Sequence, residues 1–166
     1  MSVTRQAVIL VGGLGTRLGE LTADIPKPLL PVAGSPFLHY IVASLVRHGF
    51  TDFLLLAGYC SQAVLRFAAE MSGYYSGVLV RVVVEDQPLG TGGALRNAFE
   101  FIEDEFLLLN GDTLFDFNFN DLVSPPLNAA LARMALRRVS DTSRFGSILL
   151  SGNTVQRMLE KGANGP

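Results

Sequence analysis

Three short stretches carry residue types suited to handling a phosphate ester. The first is Gly12-Gly13-Leu14-Gly15-Thr16-Arg17-Leu18, a glycine-rich run that ends in a guanidinium. Glycines let the backbone bend tightly and bring its N–H groups close to a ligand. Successive N–H groups form a concavity that favours anionic oxygens. Arg17 adds a permanent cation whose fork matches phosphate geometry. The spacing is not that of a Walker loop, because no Gly-Lys-Ser/Thr follows, and Leu18 stands where a dinucleotide fingerprint has its third glycine. Taken alone, a plain glycine turn between strand and helix explains the run equally well.

The second stretch, Ile25-Pro26-Lys27-Pro28-Leu29, shifts that balance. Two prolines stiffen the backbone on either side of Lys27, so its ammonium is carried on a low-entropy segment. The chain has two lysines, Lys27 and Lys161, against eleven arginines. Lysine supplies a compact, directed charge that arginine does not. The third stretch, Leu109-Asn110-Gly111-Asp112, sets a carboxylate just after an apolar run. Asn-Gly-Asp is ordinary turn chemistry, but a position beyond the carboxyl end of a buried strand favours a ligand role.

The elements that must position these residues alternate along the chain. Gln6–Val11 and Phe53–Ala57 read as buried strands, Val78–Val84 is β-branched and strand-like, and Phe106–Asn110 reads as another continuous apolar strand. Between them lie helical patterns. Ser35 as N-cap and Pro36 in the first turn predict a helix over Phe37–His48 that stops at Gly49. Ser61–Met71 reads as a second helix, with Val64, Leu65, Phe67, Ala68 and Met71 on one side. Thr91 is placed to cap a third, from Gly92 to Phe101. Leu127–Val139 fits helix or strand by periodicity. Ile148–Leu150 and Val155–Leu159 read as short strands around Ser151-Gly152-Asn153. The alternation implies a parallel-rich sheet with helices on both faces. Ligands of such sheets sit beyond the carboxyl ends of the strands, where the glycine run and Asp112 both fall.

Composition sets the outer limits. The 166 residues are 49% hydrophobic and 17% charged, which excludes a disordered chain. The net charge of −2 argues against nucleic acid as a partner. No apolar run approaches the roughly 20 residues needed to span a bilayer. The single cysteine, Cys60, excludes an internal disulfide framework and reads as a small apolar residue. A cytoplasmic location fits these features. No repeat or linker interrupts residues 1–166, which read as one domain. His39 and His48 read as helix residues, and Phe115, Phe117 and Phe119 as a packing stripe.

Taken together, the glycine run and Pro26-Lys27-Pro28-Leu29 resemble the signature of the sugar-phosphate nucleotidyltransferases. Further matches follow in order. Glu85-Asp86-Gln87-Pro88-Leu89-Gly90-Thr91-Gly92-Gly93-Ala94-Leu95 resembles the base-binding segment of that family, and Leu109-Asn110-Gly111-Asp112 its metal-binding turn. Arg144-Phe145-Gly146 and Glu160-Lys161-Gly162 resemble its two sugar-phosphate segments. The last of these, with Asn164-Gly165-Pro166 after it, is most similar to the heptose-1-phosphate guanylyltransferases. The resemblance implies a three-layer α/β/α, Rossmann-like nucleotide-diphospho-sugar transferase fold around a mixed, mostly parallel sheet. It favours strand over helix for Leu127–Val139. Family members usually continue past the Glu-Lys motif, adding a strand, more of the sugar pocket and a second metal-binding aspartate. The chain is therefore expected to be a truncated domain, and its apolar excess to reflect a lost covering segment or self-association into a homo-oligomer.

The implied reaction joins a sugar 1-phosphate to a nucleoside triphosphate, guanine being favoured, and releases pyrophosphate. The resemblance assigns catalysis to Arg17, Lys27 and Asp112, with Asp112 holding Mg²⁺. Leu10, Gly12, Gly13, Gly15, Thr16, Arg17, Gln87, Gly92 and Gly93 would bind the nucleotide. Gly146, Glu160 and Lys161 would bind the sugar phosphate. Two alternatives stand beside this reading. One is a non-catalytic nucleotide-binding or regulatory subunit of the same fold. The other is a nicotinamide-binding domain, against which the off-pattern glycine run and Pro26-Lys27-Pro28 both speak.

Overall fold

The computed structural model describes residues 5–13, 15–125, 127–141 and 145–159, with Thr16 and Arg17 described along the backbone alone. It comprises two compact units, Met1–Ala129 and Ala130–Pro166.

The first unit begins with β1 (Gln6–Leu10), which leads into the glycine run and a 3₁₀ segment, Thr16–Thr22. A short ribbon of β2 (Pro31–Val32) and β3 (Ser35–Pro36) precedes α1 (Phe37–Arg47). Then come β4 (Asp52–Ala57), α2 (Ser61–Tyr74), β5 (Leu79–Val84), α3 (Gly90–Asn97), β6 (Leu107–Asn110) and α4 (Phe119–Val123). The four long strands form one sheet in the order β5-β4-β1-β6, and every described pairing in it is parallel. Among the described residues, antiparallel pairing is confined to separate two-stranded ribbons.

Side-chain alternation along these strands builds the three layers. Ala7, Ile9, Phe53, Leu55, Val80 and Leu107 point to one face, where α1 and α2 cover them. Both helices present apolar residues at i, i+3, i+4 and i+7: Leu38, Ile41, Val42 and Leu45 on α1, and Val64, Phe67, Ala68 and Met71 on α2. Val8, Leu54 and Leu56 point to the other face, against Ala98 and the partly buried Ala94 and Leu95 of the α3 segment. Leu65 departs from its expected role. It lies one position off the α2 stripe and is 39% exposed. Phe119 is buried in the main core, with Phe117 packed beside it at a ring separation of 4.5 Å, so the aromatic stripe packs within the chain.

Two expected caps are corrected. Ser35 does not cap α1, because its backbone is engaged in the ribbon opposite Val32, and the first helical N–H, of Phe37, donates instead to the Leu30 carbonyl at 3.0 Å. Thr91 lies inside the first turn of α3 rather than ahead of it, and no side chain caps that helix. The helix also stops at Asn97, with Phe99–Phe101 continuing as a 3₁₀ turn. At the other end of α1, Gly49 takes φ 85°, the left-handed conformation that ends a helix and that glycine adopts without penalty.

In the second unit, β7 (Ser147–Ser151) and β8 (Thr154–Leu159) form an antiparallel hairpin, with Gly152 at φ 57° in its turn. The expected strand over Leu127–Val139 is not present. No described residue between 127 and 139 is in a helix or ladder. No helix among the described residues is long and apolar enough to cross a membrane.

Candidate active site

The order of the sheet reverses between β1 and β6: from β1 the chain moves outward to β4 and β5, then returns to the opposite side as β6. A crevice opens at the carboxyl ends of strands at such a switch point. A cavity of about 700 Å³ lies there. Leu10, Gly12, Gly13, Gly15, Lys27 and Asp112, six of the residues singled out in the sequence, form part of its wall.

Two glycines explain how these parts come together. Gly15 takes φ 61°, and a β-carbon on it would stand 3.0 Å from Cγ2 of the buried Thr22. The Thr22 hydroxyl lies 3.2 Å from the carbonyls of both Gly15 and Gly19, so the loop is pinned at its base. Gly111 permits the closest approach. A β-carbon there would stand 2.7 Å from Cγ1 of Val11 and 2.9 Å from the Leu10 carbonyl. It would also stand 3.2 Å from Cγ of Pro28. The Gly111 N–H donates to that same Leu10 carbonyl at 2.9 Å. Glycine at this point therefore seats the turn after β6 directly on the loop after β1 and on the Pro28 ring. Lys27 and Asp112, the residues flanking this contact, are brought face to face.

Their side chains form an ion pair: Lys27 Nζ donates to Asp112 Oδ2 at 2.7 Å. Thr113 Oγ1 donates to the second carboxylate oxygen at 3.2 Å. Partial burial works to raise the pKa of Asp112, but the hydrogen bond and charge of Lys27, with smaller help from Thr113, outweigh it. The carboxyl is held below its ordinary value and stays ionised at neutral pH. Lys27 and Asp112 remain 42% and 39% exposed, so both face the cavity as well as each other. The pair leaves capacity unused, because an ammonium has three donors and a carboxylate about four lone pairs.

The other expected site residues fall elsewhere. Gln87 and Gly92 are exposed and are not part of the cavity wall. Gly93 is seated against Leu89, where a β-carbon would meet Cβ at 2.6 Å. The α3 residues that do line the cavity are Gly90, Thr91 and Ala94. Gly146 lies in the second unit, where a β-carbon would stand 3.1 Å from the Leu159 carbonyl of the hairpin. The Thr16 and Arg17 side chains, together with Arg144, Glu160, Lys161 and Gly162, lie outside the described residues.

One charged wall residue, Glu85, lies within the segment that resembles the family's base-binding stretch but is given no role of its own. Glu85 follows β5 directly and lines the cavity. The signal was present, since a carboxylate immediately after a β-branched strand is the same cue that singled out Asp112.

Comparison with known proteins gives a consistent picture. A family profile described as "Nucleotidyl transferase" matches residues 6–165. A D-glycero-alpha-D-manno-heptose 1-phosphate guanylyltransferase of Campylobacter jejuni is 36% identical over 143 residues, 86% of this chain and 62% of that protein. A protein of the same description from Aneurinibacillus thermoaerophilus is 33% identical, covering 95% of this chain and 68% of the relative. The chain thus spans about two thirds of the length of these relatives. The crystal structure of HddC from Yersinia pseudotuberculosis complexed with GMP-PN superimposes with a TM-score of 0.78 at 31% identity, covering 96% of this chain and 70% of that one.

Proposed function

Because the chain belongs to the nucleotidyl transferase family, we propose that it joins a sugar 1-phosphate to a nucleoside triphosphate, releasing pyrophosphate. A guanine nucleotide and a heptose or hexose phosphate are the favoured substrates, in keeping with the activities named for its relatives. The observation that carries this reading is the ion pair of Lys27 and Asp112 on the wall of a cavity shared with Gly12, Gly13 and Gly15. A cation, an ionised carboxylate and a bent glycine backbone together fit a polyphosphate and its counterion.

The reaction is an in-line attack of a sugar-phosphate oxygen on the α-phosphorus, with pyrophosphate leaving from the opposite side. A phosphate nucleophile is already ionised near neutral pH, so no general base is required. Catalysis then consists of positioning and neutralising charge. Lys27 has two ammonium donors beyond the one given to Asp112, and these are free to take oxygens of the reacting phosphates. The backbone of Gly12, Gly13 and Gly15 cradles the triphosphate, with Leu10 beneath it. Arg17, from the 3₁₀ segment after the glycine run, is assigned to the triphosphate by its fork, and Thr16 to the same group. Gln87, Gly92 and Gly93 are assigned to the nucleoside, and Gly146, Glu160 and Lys161 to the sugar phosphate.

The donor set suits magnesium. Among the described residues no three His, Cys, Asp or Glu side chains cluster into a self-sufficient cage. Magnesium bound with substrate phosphates needs only one or two carboxylates, and Asp112 supplies one that is ionised. When bound, the ion would neutralise charge on the phosphates. Residues 1–166 are read as one nucleotidyltransferase domain. Its substrates are charged, water-soluble esters, and we assign the reaction to the cytoplasm.

The test is direct. The chain is incubated with GTP, Mg²⁺ and a panel of hexose and heptose 1-phosphates, and pyrophosphate is measured. Release that depends on both substrates is the expected result. Triphosphate binding without pyrophosphate release would instead identify a nucleotide-binding subunit.

A further inference from the structure

We propose that Tyr59 is a positioning residue for the triphosphate: its hydroxyl fastens the glycine-rich loop in the shape that cradles phosphate oxygens. This rests on the nucleotidyl-transfer reading above. The loop runs from Val11 to Ala23 and contains Gly12, Gly13, Gly15 and Gly19. Glycine loses more conformational freedom on ordering than any other residue, so a loop of this composition needs ties to hold one shape. The turn that joins β4 to α2, Gly58-Tyr59-Cys60, braces it at both ends. At the start, the Val11 N–H donates to the Leu56 carbonyl at 2.9 Å, and a β-carbon on Gly12 would stand 3.1 Å from the Gly58 nitrogen. The loop thus leaves the sheet with its backbone against the turn. At the far end, the Tyr59 hydroxyl donates to the Ala23 carbonyl. The Cys60 thiol lies 3.9 Å from the same oxygen. Ala23 directly follows Thr22, whose hydroxyl is 3.2 Å from the carbonyls of Gly15 and Gly19. Contacts therefore run without a break from the turn through Ala23 and Thr22 to the middle of the loop.

Two features separate this tie from general support of the fold. Tyr59 is 38% exposed and belongs to neither cluster of the hydrophobic core among the described residues. A contact so placed acts on local order far more than on global stability. Cys60, its neighbour, takes φ 55°, a left-handed conformation uncommon for a residue with a side chain. Strain of this kind persists where the surroundings over-determine it, and ligand clamps are such places. The described wall of the cavity does not include Tyr59, so the phenol acts through the loop and not on the nucleotide. Arg17 is carried on the same stretch, between Gly15 and Gly19, and whatever fixes Thr22 and Ala23 restricts its backbone as well. Apparent affinity scales with the fraction of molecules whose site is already in the binding shape. Loss of the tie lowers that fraction.

The experiment is a mutant cycle read by isothermal titration of the full chain with GTP and Mg²⁺. Tyr59→Phe keeps the ring and deletes only the hydroxyl. It is expected to weaken GTP about three- to tenfold, the equilibrium equivalent of one hydrogen bond, at a nearly unchanged melting temperature. Amide hydrogen exchange should quicken over residues 12–23 and stay at the wild-type rate in β1 and β4. Arg17→Met removes the cation from the loop, and in that background Tyr59→Phe should weaken GTP by a smaller factor than in the wild type. The same factor in both backgrounds, or a marked fall in melting temperature, would make the phenol a structural group and overturn the inference. A wild-type chain that binds no triphosphate overturns the nucleotidyl-transfer reading and this inference together. A chain that binds GTP equally well with and without the Tyr59 hydroxyl overturns this inference alone.

Discussion

The two ends of the central sheet each carry a short ion pair, and the pairs serve opposite purposes. At the amino end, Arg81 donates to Asp52 at 2.6 Å. The same carboxylate oxygen accepts the side-chain amide of Gln6 at 2.9 Å. Gln6 is fully buried. Its amide also donates to the Phe101 carbonyl at 3.0 Å, and its oxygen accepts the Glu103 N–H at 2.9 Å. Three segments are tied there by groups whose partners all come from the fold. At the carboxyl end, Lys27 and Asp112 are equally close, but each is about two-fifths exposed and lines a cavity. The difference lies in where the remaining capacity points. At the amino end it is spent within the fold or buried in it, as with Asp52 Oδ1 and Arg81 Nε, which have no hydrogen-bond partner among the described residues, whereas the pair facing a cavity can give its remaining donors and lone pairs to a ligand.

This contrast can be broken in several ways, the largest first. Asp112→Asn should lower turnover about 10²–10³-fold, the scale seen when one group that stabilises a transition state is removed. Its melting temperature should barely move. Pyrophosphate release and thermal denaturation measured on the same preparation check both halves, and a large loss of stability with normal turnover would reverse the assignment. Gln6→Ala should do the opposite. It leaves the Glu103 N–H and the Phe101 carbonyl without their partner and should destabilise the fold by about 2–3 kcal/mol, read as a lower urea midpoint at unchanged slope. Turnover per folded molecule should stay at the wild-type level.

Lys27→Met should cost less than about 1 kcal/mol in stability, because exposed ion pairs contribute little. A loss comparable to that of Gln6→Ala would show that the carboxyl-end pair is structural after all. The smallest expected effect is on titration. The pKa of Asp112 is depressed in the fold, so the stabilisation from its pairing is complete above the ordinary carboxylate value of 3.8 and is lost as pH falls through its lower folded value. Carboxyl ¹³C NMR should therefore place the Asp112 midpoint below that ordinary value. Lys27→Met should move its midpoint upward, since the hydrogen bond and charge that oppose burial would be gone.

Much of the framework was legible from local pattern. The four strands of the sheet announced themselves as apolar runs, although only β1 and β4 are buried along most of their length, and the stripes of α1 and α2 followed the helical period. The errors fell where tertiary partners overrode a local preference. Ser35 is a good cap by residue type, but the ribbon with Val32 engaged its backbone and Leu30 supplied the acceptor. Leu65 is apolar, yet one step of 100° around the helix turns it outward. Over Leu127–Val139 the periodicity fits helix or strand equally, and the described residues there form neither.

The sequence by itself determined the chemistry on offer: a glycine-rich bend after the first strand, one lysine stiffened between prolines, and a carboxylate after an apolar run. Residue type and spacing suffice for that, because backbone freedom, charge and strand endings are local properties. Only the tertiary structure decided which of these groups meet. The reversal of strand order between β1 and β6, and the contact of Gly111 with Val11 and Pro28, bring together residues 85 positions apart. It also turned Glu85 rather than Gln87 into the cavity. Neither outcome is encoded at any single position, since each depends on where a neighbouring strand ends and on how closely its backbone can approach.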